Sequence, residues 1–135
     1  MISEKTYTTH KTTSELMNVF GNLQNFAKAH PLIVSISSEE KNGYFKVKEK
    51  PFLIPISIYY SVKPLLTKNK VTFMVKGLPL LKPTLHYHFK ELIDYSELTF
   101  TIQIKGFIGA NQYLAYKMTK AMDELIENIN SEIVN

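Results

Sequence analysis

The chain has 135 residues, 44% of them apolar, and carries 16 basic against 12 acidic side chains for a formal charge of +4. That length supports one hydrophobic core and is short for two, so a single domain over 1–135 is expected. There is no cysteine, which excludes disulfides, zinc-thiolate sites and a thiol nucleophile, and every basic residue is a lysine. Without arginine, base-edge reading and bidentate phosphate clamping lose their usual side chain, so nucleic acid is not expected as a partner. The opening residues do not read as a leader, no apolar run reaches membrane-spanning length, and a cytoplasmic protein is expected.

Ile2 to Thr9 alternates and is rich in threonine, which predicts a first strand. Thr12 and Glu15 form a capping box before Leu16, Met17, Val19 and Phe20, a short helix that Gly21 ends. Asn22 caps a second short helix carrying Leu23, Phe26 and Ala27, and His30-Pro31 stops it. A meander follows, with strands predicted at Ile33–Ser38, Tyr44–Lys50, Ile56–Val62, Lys70–Lys76, Thr84–Ile93 and Glu97–Lys105. One face collects Phe45, Val47, Tyr60, Val62, Phe73, Tyr87, Phe89 and Phe100. The other collects lysines, threonines, His86 and His88. One buried face and one wet face suit an antiparallel sheet.

The connections differ between the two ends of this meander. At one end they are short and polar, as hairpin turns should be. At the other they are apolar and bracketed by proline: Pro51-Phe52-Leu53-Ile54-Pro55, the Gly77 to Pro83 segment with Leu80 and Leu81, and Lys105-Gly106-Phe107-Ile108-Gly109. Surface loops are normally polar. Phe52, Leu53, Leu80, Leu81 and Phe107 are therefore expected either to plug the core or to ring the mouth of a cavity.

Asn111 to Ile133 repeats apolar residues at helical spacing, with Leu114, Met118, Met122, Leu125 and Ile129 on one stripe. Asn111 is expected as its N-cap, and the helix would run about 34 Å. Its charges oppose its dipole, because Lys117 and Lys120 lie early while Glu124 and Glu127 lie late. Packing against a sheet must therefore hold it. Tyr113 and Tyr116 fall on its polar side, as rim residues or as a contact patch for a second subunit or a membrane.

Strand, two short helices, six-strand meander and long C-terminal helix, with Ala29-His30-Pro31-Leu32-Ile33 leading into the second strand, resembles the START-like helix-grip superfamily (SRPBCC). That group includes polyketide cyclases and lipid-transport proteins. The resemblance covers essentially the whole chain and implies an α+β fold, a curved seven-stranded antiparallel sheet wrapped around the C-terminal helix. It also implies a hydrophobic cavity between them.

Few inward positions are polar. Tyr60, Phe73, Tyr87, Phe89, Phe100, Met118 and Met122 are the expected ligand-binding wall. Glu49 and Glu91 are inward by alternation but end their strands, where they are expected to reach water and titrate normally. His86 and His88 share a face about 7 Å apart, yet Lys90 follows and no third ligand is placed nearby, so no metal site is expected. No nucleophile elbow, phosphate loop or dinucleotide fingerprint is present, and no cofactor is implied. The favoured reading is carriage of a small lipid-like or aromatic molecule, with at most transient membrane contact. The alternatives are a small cyclase or dehydratase using Glu49 and the two phenols, and a protein-interaction module.

Overall fold

The computed structural model describes residues 2–39, 41–50, 56–78, 81–105 and 108–131. In chain order these form β1 (Ile2–Thr9), α1 (Thr13–Phe20), α2 (Leu23–Ala29), β2 (Ile33–Glu39), β3 (Phe45–Glu49), β4 (Ile58–Thr67), β5 (Lys70–Lys76), β6 (Lys82–Glu91), β7 (Ser96–Lys105) and α3 (Ile108–Ser131). The strands make one antiparallel sheet in the order β1-β7-β6-β5-β4-β3-β2. Every strand from β2 to β7 lies beside its neighbour in sequence, and β1 closes the far edge against β7.

The helices start where local chemistry puts them. The Thr12 hydroxyl accepts from the Glu15 amide at 3.1 Å while the Glu15 carboxylate accepts from the Thr12 amide at 3.0 Å, the predicted capping box. Asn22 caps α2 by accepting from the amides of Gln24 and Asn25. The two helices then turn Leu16, Phe20 and Phe26 onto the concave sheet face. Phe20 lies 4.7 Å from Tyr87 and 5.4 Å from Phe89 between ring centres, and Phe26 meets Phe73 edge-on at 5.0 Å. Together with Leu98 and Leu125 they fill one half of the space under the sheet.

The α3 helix covers the rest of the concave face, its Ala115, Met122, Leu125, Ile126 and Ile129 all buried. It is tied to β1 at two heights. Tyr7 and Lys5 donate to Asp123 at 2.6 and 2.8 Å, and Thr9 donates to Asn130 at 2.6 Å.

Several predicted boundaries move. Asn111 is not the N-cap: α3 begins at Ile108, and Asn111 is buried within it. The reason is spacing, because Asn111 falls on the stripe of Ala115, Met118 and Met122 that faces the sheet. The predicted end at Ile133 lies outside the described residues. β4 runs past Val62 to Thr67, through Pro64. A proline cannot donate to a ladder, but β3 ends its pairing at Phe45 opposite Val62, so Pro64 sits where β4 has a neighbour only on the β5 side. β6 begins earlier, at Lys82, and ends at Glu91, after which the Leu92 amide donates to the Tyr95 carbonyl to close the turn. Asn69, at φ 57, makes the tight β4–β5 turn.

Candidate functional site

Alternation along β3, β4, β5 and β6 points Val47, Tyr60, Phe73 and Tyr87 at α3, but the helix does not fill the space beside Leu114 to Met122. A cavity of about 130 Å³ remains between sheet and helix. One water needs only about 10–15 Å³ of such space, so the void has room for a small organic molecule. Tyr60, Phe73, Tyr87, Phe100, Met118 and Met122 all line it, as the inward stripes predict. Phe89 does not. It lies in the filled half, fully buried beneath Phe20, because α1 packs over that end of β6 and leaves no room for a void.

The wall is largely apolar, its polar side chains being Glu49, Tyr60, Tyr87, His30 and Lys117. Glu49, at the end of β3, pairs with Ile58, and its carboxylate accepts a hydrogen bond from the Tyr60 hydroxyl two residues along β4. Glu49 is half-buried and lines the cavity, and the expectation that it titrates normally does not hold: desolvation raises its carboxyl above the usual range despite the opposing hydrogen bond from Tyr60. The pattern of β3 gave the direction of the side chain correctly. What it lacked was α2, whose Leu23 and Phe26 line the same cavity, and the pairing of Glu49 with Ile33 on the other side of the strand. Burial, and then the nearby Glu49, push the Tyr60 phenol far up, and Tyr87 is raised by the same two causes. Both phenols stay protonated. Glu91, by contrast, is exposed and accepts from the Thr13 amide at 3.2 Å.

His30 is a wall residue that the sequence pattern did not single out. It ends α2 in an extended conformation, as a residue before proline should. That turn brings the ring 5.5 Å from Phe26 and onto the cavity. Its Nδ1 accepts from the Leu32 amide at 3.1 Å, so the neutral ring carries its proton on Nε2. Desolvation lowers its pKa from 6.5 to about 4, which keeps it neutral. The available signal was His-Pro at the end of a helix with an apolar inner face. Lys117 also borders the cavity although α3 carries it on an exposed position.

Of the five predicted mouth residues, Leu81 packs half-buried against the core. Phe52, Leu53, Leu80 and Phe107 lie outside the described residues. His86 sits on the wet face, its ring nitrogens 3.1 Å from Thr72 Oγ1 and 3.4 Å from Gln103 Oε1. Among the described residues no three acidic, histidine or cysteine side chains cluster as metal ligands. Tyr113 and Tyr116 are exposed, each with a lysine ammonium, Lys117 or Lys120, 5.6 Å from its ring centre.

A seven-stranded sheet gripping a long last helix, with two short helices after the first strand, matches solved structures over nearly the whole chain. A START superfamily protein from Mycobacterium smegmatis superposes with a TM-score of 0.79 at 10% identity, covering 98% of both chains. This is the START-like helix-grip fold. The Zhui aromatase/cyclase from Streptomyces shares it with a TM-score of 0.77 at 12% identity, over 98% of this chain and 92% of that one. The helix-grip fold also recurs in the di-domain ARO/CYC protein BexL, with a TM-score of 0.80 at 8% identity over 96% of this chain. There the chain spans about half of its counterpart, 46%. No family model and no curated protein matches the sequence. Among the described residues no helix is long and apolar enough to cross a membrane.

Proposed function

We propose that this chain binds a small, largely apolar molecule between the sheet and α3, with one polar group of that molecule held at Glu49 and Tyr60. The observation that carries this reading is a void walled by aromatic and methionine side chains with a single acid–phenol pair at one edge. Burial of apolar ligand surface would supply affinity at about 25 cal/mol per Å², and the pair would set orientation. Helix-grip proteins described as START and aromatase/cyclase proteins support the choice of an apolar or aromatic ligand. Native mass spectrometry of freshly purified protein tests it, with a co-purified small molecule expected. Tyr60→Phe should weaken its retention, and a chain that carries nothing and takes up no apolar fluorescent probe sinks the reading.

A second reading, acid–base catalysis on the same molecule, is favoured by one observation. Glu49 is a carboxylic acid whose proton is held more tightly than usual, beside a phenol, inside an apolar cavity. That is what a general acid for cyclisation or dehydration requires. Glu49→Gln separates the two: it abolishes turnover under the catalytic reading and merely alters affinity under the binding one.

A further inference from the structure

Charge on the outer face of the sheet is sorted along the strands. At the level of the cavity, Lys46 is in register with Ser61, Ser61 with Lys76, and Lys82 with Lys105. Met74 pairs with Thr84, and the same register sets Lys76 level with Lys82. Four lysines therefore stand in one row across β3 to β7, on strands about 4.8 Å apart. No described carboxylate shares this row, and Lys48 and Lys50 extend the basic end. At the opposite end charge is mixed: Lys90 faces Glu97, Glu91 and Asp94 lie by the same turn, and Lys70 stands level with His88 beside Lys68 in the neighbouring turn.

The α3 helix repeats this sorting. Lys117 borders the cavity in its first half, while Glu124 and Glu127 lie in the half that Asn130 anchors to Thr9 at the other end. The sheet arrangement carries a cost, because like charges directly opposed across strands, as Lys82 and Lys105 are, destabilise a sheet. Beside the lysines, apolar side chains stand in water: Ile56 is 63% exposed, Tyr59 56%, and Ile58, which also lines the cavity, 37%.

We propose that this basic end docks on an anionic phospholipid bilayer, with the lysine row against the headgroups and Ile56, Ile58 and Tyr59 at their boundary with the acyl chains. Ammonium groups act as point charges and suit a diffuse anionic surface, whereas the forked guanidinium that clamps a discrete phosphate or carboxylate is absent from the chain. Exposed apolar side chains at the same end as the lysines match a bilayer interface and have no counterpart on a nucleic-acid backbone. The mixed-charge end faces away from such a surface. Docking stands without a cavity ligand; that the bilayer also exchanges the bound molecule rests on the ligand-binding reading.

Co-sedimentation with vesicles tests this. The chain should bind phosphatidylcholine vesicles containing phosphatidylglycerol, lose binding in high salt, and ignore phosphatidylcholine alone. A variant combining Lys46→Gln, Lys82→Gln and Lys105→Gln should bind far more weakly, on the order of fivefold per lysine removed. Lys68→Gln, Lys70→Gln and Lys90→Gln together lower the net charge equally at the other end and should leave binding within about twofold, a few tenths of a kcal/mol. Circular dichroism and the thermal midpoint establish that both variants fold. Equal loss in the two variants would overturn the proposal, because net charge alone would then suffice. So would equal binding to both vesicle types. Row-dependent retention on heparin with no vesicle binding would overturn it in favour of a polyanion.

Discussion

Glu49 and His30 are half-buried against the same cavity and pull stability in opposite directions with pH. An unfolded glutamate ionises near 4.5, and in the folded chain burial raises that value. Between the two values the folded state keeps a proton that the unfolded state has lost, so stability falls as pH rises through the window and stays lower above it. Glu49→Gln should therefore raise the thermal midpoint at neutral pH, and the gain should vanish below the ordinary carboxylate range. A difference that does not change with pH would contradict burial of the charge. For His30 the unfolded chain takes up its proton near 6.5 and the folded chain only near 4. Its contribution is complete above 6.5 and is lost as pH falls towards 4, by up to about 3 kcal/mol. His30→Gln should flatten that acid limb in a series of thermal melts, and an unchanged limb would assign the acid sensitivity elsewhere.

Gly21 joins α1 to α2 where the chain leaves no space. A Cβ there would lie 2.6 Å from the Met17 carbonyl oxygen and 2.8 Å from Leu66 Cδ2. Leu66 could swing away, but the carbonyl belongs to the helix backbone. Gly21→Ala should cost about 1–3 kcal/mol, read as a lower thermal midpoint; an unchanged midpoint would show that α1 and α2 can part freely. Elements of this kind were legible in the sequence to different depths. β1, β5 and both helix caps were readable because period-2 alternation and the Thr12 and Asn22 side chains act locally. The end of β4 was not, since Pro64 is permitted only by the place where β3 stops, a fact of the sheet. The same limit applies to the site. Tyr60, Phe73, Tyr87, Phe100, Met118 and Met122 followed from which face each occupies, whereas the burial of Glu49 and the separation of Phe89 depend on where two short helices come to rest.

Across the molecule the core is divided, solid under α1 and hollow beside the first half of α3. Ala121 is buried on the cavity wall. Ala121→Leu should fill part of the void, leaving the thermal midpoint unchanged or higher while apolar probe affinity falls roughly tenfold, about 1.4 kcal/mol. A loss of about 1–3 kcal/mol in stability instead would mean that the space is already occupied by packing. The placement of β1 has a consequence of another kind. Its sheet partner is β7, with Ile2 opposite Gln103, so the first strand made must wait for the last. At ribosomal rates of about 5–20 residues per second that wait is roughly 5–20 s, during which β1 has nothing to pair with. A long apolar strand left waiting would recruit other chains. The composition of β1, Ile-Ser-Glu-Lys-Thr-Tyr-Thr-Thr, is polar and largely exposed even in the finished sheet, which suits a segment that must stay solvated until β7 emerges. In refolding followed by pulsed hydrogen exchange, the amides of β1 should gain protection after those of β5 and β6; early protection of β1 would mean that the sheet closes before its central strands are set.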